Sequence, residues 1–435
     1  MIVAISSLAI AVLGNPPPSN QPAPPQQNNP PPPNNNSGPQ PTNNNSNSGK
    51  HKATRPHQHH QHNPINTGQM PTNFGDPLGG LSAILIAAFQ DGRDDFEDTE
   101  NTESGLGPIF NRDSCVACHS VPSTGGSSTV FVTRFGVLTN GVFDPLTAFG
   151  GSLLQEKAIV PQCLEHVPAQ ANVVIKRQTT PLYGLGLIEA IADSTITQSV
   201  RKTAVDGVKG RAAMITDVVS GKVHVGRLGW KAQHSSILGF AADAYMNEMG
   251  ITNRFFPTEN APNGNQTLLQ QYDTILDPED EIDPATGKGD VDKVADYMRL
   301  LAPPPTVRFT TNAGSGQGIF QQIGCTNCHT PTLTTASNSI PALNFQKANL
   351  YSDLLLHDMG SLNDGIQQGD ANPNEMKTAP LWGVRASAPY LHDGRAATLD
   401  DAIRAHDGEA KNSRDRYTKL SKSQQQWLIE FLNSI

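Results

Sequence analysis

Cysteine is scarce: a chain of 435 residues holds 5. Four of them fall in two short boxes, so the fifth, Cys163, has no disulfide partner left and reads as a buried, inert thiol. Basic charge is in deficit, with a formal net charge of -9 and no long basic run outside a histidine-rich stretch, which argues against nucleic acid as a partner and leaves a small molecule or another protein. Long apolar runs are missing too. The segment MIVAISSLAIAVLG (Met1–Gly14) is too short to span a bilayer as a helix; it resembles the h-region of an export signal, although it has no basic n-region and no clear small-residue cleavage site. Export is the expectation, and a frayed apolar end the plainer reading. Hydrophobic residues make up 36% of the chain, a low figure because residues Asn15–Thr72 are mostly Pro, Asn, Gln, Ser and His. With almost nothing apolar to bury, that tract cannot offset the entropy of ordering and is expected to be disordered. Within it HKATRPHQHHQH (His51–His62) could hold a divalent metal weakly through imidazoles, but a solvated spacer is the simpler reading.

What is present starts with the two boxes, DSCVACHSVP (Asp113–Pro122) and GCTNCHTP (Gly324–Pro331). Each places a histidine directly after the second cysteine of a Cys-x-x-Cys pair. A dithiol redox site has no need of that histidine and usually sits in a βαβ pattern, which neither region shows. A Cys₄ zinc site would join the two pairs but leaves both histidines unexplained. Covalent c-type haem uses every residue: two thioether sulfurs anchor the vinyl groups and the adjacent imidazole lies under the iron. Cys115, Cys118 and His119 then carry one haem, and Cys325, Cys328 and His329 a second. Haem attachment of this kind takes place outside the cytoplasm, so the boxes support export to the periplasm or cell surface independently of the N-terminal segment.

Downstream of each box the chain repeats itself again, as TTPLYGLG (Thr179–Gly186) and TAPLWGVR (Thr378–Arg385). A helical pattern follows in each half. In TLDDAIRAH (Thr398–His406) Leu399, Ala402, Ile403 and His406 share a face; in SSILGFAADAYMNEM (Ser235–Met249) Ile237, Phe240, Ala241 and Ala244 do. This predicts two haem domains related by duplication. Aligning Ile237 on Leu399 sets Ala244 opposite His406, so the second haem is expected to be closed by two histidines and the first to lack that ligand. Glu248, one helical turn beyond Ala244, is placed to move protons over an open haem. The bland alternatives are a solvated Glu248 and a surface His406.

The blocks PLYGLGLIEAI (Pro181–Ile191), GRLGWKAQ (Gly226–Gln233), NEMGIT (Asn247–Thr252), LLLHDMG (Leu354–Gly360) and APLWGVRASAPYLHDGRAATLDDAIRAHDGEA (Ala379–Ala410) make the chain resemble, over Asn73–Ile435, the di-haem oxidoreductase family. These thiol-oxidoreductase-like proteins are distant relatives of bacterial di-haem cytochrome c peroxidases. The resemblance implies that His406 stands where the peroxidases carry an axial methionine, which lowers the potential of that haem relative to Met/His ligation. It implies that Trp230 is the tryptophan between the haems and Glu248 the pocket glutamate. It also implies a calcium ion, hydrogen peroxide or a similar small oxidant as substrate, and a small cytochrome or cupredoxin as electron donor. The chain departs from the peroxidases at two points. An apolar Phe240 stands near the place of a pocket glutamine, and the loop after His119, SVPSTGGSSTVFVTRFG, has no capping histidine.

The expected fold is mainly α, with room for short strands in the long insertions of the first half. The expected organisation is an export signal at 1–14, a disordered tract at 15–72, and cytochrome-c-like haem domains at 73–302 and 303–435, divided near APPP (Ala302–Pro305). Electrons are expected to enter at the His329/His406 haem and pass by Trp230 to an open His119 haem. The competing reading is a pure electron carrier with both irons six-coordinate, Met246 or Met249 supplying the missing ligand. A third is a redox enzyme acting on a protein surface.

Overall fold

The computed structural model describes residues 73–275 and 280–435. The export segment, the tract at 15–72 and the histidine-rich stretch lie outside the described residues. The helices are α1 (Ala83–Glu97), α2 (Leu185–Glu189), α3 (Asp193–Gln198), α4 (Ile237–Ala244), α5 (Gln266–Tyr272), α6 (Asp290–Leu300), α7 (Thr311–Gln322), α8 (Leu399–Ala405), α9 (Lys411–Thr418) and α10 (Lys422–Ser434). None of them is long and apolar enough to cross a membrane.

Each box is preceded by a long helix that packs on a later one, α1 on α6 in the first half and α7 on α10 in the second. Both crossings are made by a glycine. A Cβ on Gly92 would sit 2.0 Å from the Lys293 carbonyl oxygen, and one on Gly316 would sit 2.0 Å from that of Trp427. Only a residue without a side chain lets the two backbones approach so closely. The apolar faces seated by these crossings form two cores. The larger holds Phe89, Phe96, Leu187, Ile237 and Tyr297; the smaller holds Ile319, Phe320, Tyr417, Leu428 and Phe431.

The helices that sequence periodicity puts in register begin at the aligned residues. Ser236 caps α4 by accepting from the Gly239 amide, and Thr398 caps α8 by accepting from the Asp401 amide, so the same local chemistry starts both. They end differently. Helix α8 stops at His406, whereas α4 runs on into a π-helical turn at Tyr245–Met249, a wider winding that recurs at functional sites. Glu248 is therefore carried on that turn and not on a regular α-helix.

Twelve strands accompany the helices among the described residues, so the expectation of a mainly α chain is corrected to a mixed one. The strands are short and pair antiparallel; all but Ile109–Phe110 lie between a box and the capped helix of the same half, α4 or α8, and most are only two to four residues long, too short for a period-2 pattern to show. Phe131–Thr139 pairs with Val142–Asp144, Leu153–Leu154 and Val173–Gln178. Ala213–Thr216 pairs with Val223–Gly226 and delivers the chain to Trp230. Leu356–Asp358 pairs with Glu375–Lys377, opposing Leu356 to Lys377 and His357 to Met376. The described residues form one compact unit. The larger core takes in Leu333, Leu343, Ala348, Leu350, Leu354 and Leu355 from beyond the proline run, so the two halves share it.

Candidate functional site

Each box closes into a tight turn, with the amides of Cys118 and His119 donating to the Cys115 carbonyl and those of Cys328 and His329 donating to the Cys325 carbonyl. Burial pushes the thiols of Cys115, Cys118 and Cys325 up to about 12, and that of Cys328 up as well. A Cys₄ zinc site needs all four sulfurs at one point, and no described group of ligand side chains unites the two boxes. The Cys₄ reading therefore falls.

Three histidines share one arrangement. Nδ1–H of His119 donates to the Gly126 carbonyl at 3.0 Å, that of His329 to Tyr351 at 2.9 Å, and that of His406 to Ala402 at 2.8 Å. A backbone carbonyl can only accept, so each ring is fixed as the Nδ1–H tautomer, with Nε2 as the coordinating nitrogen. Burial depresses all three, to about 4 for His119 and His329, so they are neutral at physiological pH, as a ligand must be.

His406 faces His329 with ring centroids 6.5 Å apart. Two imidazole–metal bonds of about 2 Å plus the inner half of each ring give ~6 Å, so one iron fits between them. Leu399, Ala402, Ile403 and His406, the predicted face of α8, all line the cavity that also contains Cys325, Cys328 and His329. Its volume of about 280 Å³ far exceeds the ~30 Å³ share of one water. The wall continues through Trp230 and Phe240 to Thr179 and Thr180, which touch Cys118 and His119 respectively. His357, which also lines the cavity, is held otherwise. Its Nε2 and Nδ1 bond Asp353 at 3.0 Å and Glu409 at 2.7 Å. Burial opposes its protonation, but these bonds outweigh it and hold its pKa up to about 12, which leaves no lone pair for a metal. The one described trio with metal-site spacing, Cys328, Asp353 and His357, offers a single carboxylate where calcium takes six to eight oxygens. Calcium stays an implication of the resemblance alone.

In the first half Ala244 is the residue aligned with His406, and it has no ligand atom. Glu248 is partly buried and accepts from Asn111 Nδ2 at 2.8 Å. Burial raises its pKa, against the pull of Arg134, the Asn111 bond and Arg112, and its charge acts on the Cys118 thiol. On the predicted face of α4, Ile237 and Ala241 enter the larger core and Phe240 packs against it; Phe240 also lines the cavity and stacks on His234 at 5.2 Å. His234 in turn lies 3.4 Å from Asp243. The buried Nε of Arg134 has no hydrogen-bond partner among the described residues. Met246 and Met249 are both 3% exposed and neither lines the cavity.

Trp230 donates from Nε1 to the Gln178 carbonyl at 2.8 Å and meets His392 edge-on at 6.3 Å. Beside it Lys231 is fully buried and paired with Asp364 at 2.9 Å, which also takes Arg177. Sequence reasoning missed Asn111, Arg134, Asp243 and this cluster. Asn111 bonds Glu248, and Lys231 and Arg177 pair with Asp364, each across more than a hundred residues, and no local pattern signals them.

Two boxes, three oriented neutral imidazoles and a cavity between two of them define a protein that carries more than one haem. Residues 166–435 match the family described as "Di-haem oxidoreductase, putative peroxidase", and the chain belongs to that family. Membership implies two haems and a redox role. No curated protein matches the chain. Among solved structures, hydrazine synthase of Kuenenia stuttgartiensis is 17% identical, covering 86% of this chain and 100% of its own, with a TM-score of 0.37. A MauG-like protein associated with microbial copper homeostasis is 14% identical, covering 84% and 93%, with a TM-score of 0.38. The diheme peroxidase BthA of Burkholderia thailandensis is 12% identical, covering 81% and 86%, with a TM-score of 0.37. Similarity at this level carries no argument here.

Proposed function

We propose that the chain is an exported oxidoreductase of the peroxidase type, with two covalent haems c and two halves of common origin. Cys115 and Cys118 anchor one haem over His119; Cys325 and Cys328 anchor the other between His329 and His406. The bound haems supply one-electron redox chemistry, the His329/His406 centre relaying electrons from a small donor protein and the His119 centre reducing peroxide or a similar small oxidant. His406 closes its centre to outside ligands. Ala244 leaves the His119 centre open, and Glu248 holds and delivers a proton there from a carboxyl whose pKa burial raises. Asn111 fixes the orientation of that carboxyl, Phe240 keeps the open side apolar, and Trp230 lies along the wall that joins the two boxes.

The observation that carries this reading is His406 facing His329 at 6.5 Å, where the residue aligned with it in the first half, Ala244, has no ligand atom. The carrier reading needs Met246 or Met249 as a ligand to the His119 centre. Electron paramagnetic resonance of the oxidised holoprotein tests the choice. One low-spin centre and one high-spin centre that binds cyanide are expected. Two low-spin centres indifferent to cyanide would overturn the enzyme in favour of the carrier.

A further inference from the structure

Besides the protonated His357, which Asp353 and Glu409 pair, three cations belong to the wall of the cavity: Arg227, Lys377 and Arg414. Arg227 pairs with Asp193, and Arg414 with Asp407 at 3.1 Å and Asp415 at 2.9 Å. Lys377 is 8% exposed, and no carboxylate among the described residues lies within ion-pairing distance of it. The one bond of its ammonium is a long one of 3.4 Å to the carbonyl of its own neighbour, Thr378. Burial lowers its pKa to about 8, and the charge of Asp353 offsets this only in part. Lys231 shows what this fold does with a buried ammonium when the chain supplies the anion: Nζ bonds Asp364 and the carbonyls of Asn372 and Pro373 at 3.2 and 3.3 Å, and that of Glu375 besides. An ammonium buried without such partners carries a large desolvation cost, so the Lys377 site is complete only with an anion in the cavity.

Lys377 is held in place by backbone. It sits on the strand Glu375–Lys377 opposite Leu356, and its amide donates to the Trp230 carbonyl at 2.9 Å. It shares the cavity with His329 and His406, and the group proposed to lie between those rings brings its own carboxylates, the two propionates at the haem edge. We infer that the Lys377 ammonium is the counter-charge for a propionate of the haem held by His329 and His406. The inference rests on the proposed function and adds a residue that sets the electrostatics of the relay centre. A cation fixed beside a haem favours the reduced state, because reduction adds negative charge, and it also offsets the charge of the propionate. Lys377 therefore raises the potential of a centre whose two imidazoles lower it.

The test is potentiometric titration of the full-length holoprotein with haem content measured alongside. Two attached haems and one low-spin bis-histidine signal in the wild type establish the underlying reading; their absence would defeat that reading and not the role of Lys377. With both present, Lys377→Met should lower the potential of the low-spin centre by at least tenfold in its reduction equilibrium, 59 mV for one electron. The His119 centre should stay in place, and Lys377→Arg should restore the potential. An unchanged potential in a fully loaded Lys377→Met protein would overturn the inference. If Lys377→Met loses the second haem while Lys377→Arg retains it, the charge is required and the inference stands. Loss of that haem in both variants would make the lysine a packing element and would equally overturn it.

Discussion

At the scale of single residues, the chemistry depends on which imidazoles are neutral and oriented. His406→Ala should convert the low-spin centre to high spin, and His406→Met should raise its potential, because a thioether in place of an imidazole favours the reduced iron. An unchanged spectrum in both variants would place the ligand elsewhere. Glu248→Gln removes the proton donor while keeping its shape, and loss of general acid–base help should slow peroxide turnover ~10²–10⁴-fold with both haems attached. The pH dependence follows from the signs. Burial raises the Glu248 pKa above 4.5 while Arg134 lowers it, so the protonated form is lost, and turnover falls, as pH rises through the raised value. Arg134→Leu withdraws the cation that favours the carboxylate, raises that pKa further and should move the alkaline limb of the profile to higher pH. A downward move would mean that Arg134 does not act on Glu248. The same sign governs stability: the folded state holds this proton more tightly than the unfolded chain, so its contribution is fullest below 4.5 and is lost as pH rises through the folded pKa.

At the scale of elements, the crossings of α1 with α6 and of α7 with α10 fix where each box sits. Both depend on a glycine facing a carbonyl with no room for a methyl group. Gly92→Ala and Gly316→Ala should each destabilise by ~1–3 kcal/mol through overpacking, read as a lower denaturant midpoint. Gly318, also on α7, has open space at its Cβ and serves as the control: Gly318→Ala should be neutral or slightly stabilising by helix propensity. Equal losses at Gly316 and Gly318 would show that the crossing does not depend on close approach. Legibility in the sequence divides along the same line. The helices α4 and α8 could be read from 3.6-residue periodicity, because that signal is local. The short strands, the crossing glycines and the π turn that carries Glu248 could not, because each depends on a partner far along the chain. The boxes and the candidate ligand His406 were readable from spacing; Arg134 stands out only once the fold brings it near Glu248, and Lys377 only once the fold shows no carboxylate within ion-pairing distance of it among the described residues.

At the scale of the molecule, the cavity that runs from His406 past Trp230 ties haem content to stability. An empty cavity costs about 24 cal/mol per Å³ in a packed core, so one of about 280 Å³ would cost ~7 kcal/mol if it stayed dry and rigid. That is comparable to the whole stability of a typical domain, ~5–15 kcal/mol. The chain without its second haem should therefore collapse or open around His329 and His406. The intact holoprotein should carry the mass of two haems, roughly 0.6 kDa each. Cys115→Ala with Cys118→Ala should remove one haem and leave the low-spin centre intact. Cys325→Ala with Cys328→Ala should remove the other, lower the melting temperature and expose residues 303–435 to early proteolysis, since α7, α8 and α10 frame that cavity. The order of these effects is the decisive measurement. Equal melting temperatures and equal protease resistance with and without the second haem would mean that the two halves hold their shape without it, and that their shared core is sufficient by itself.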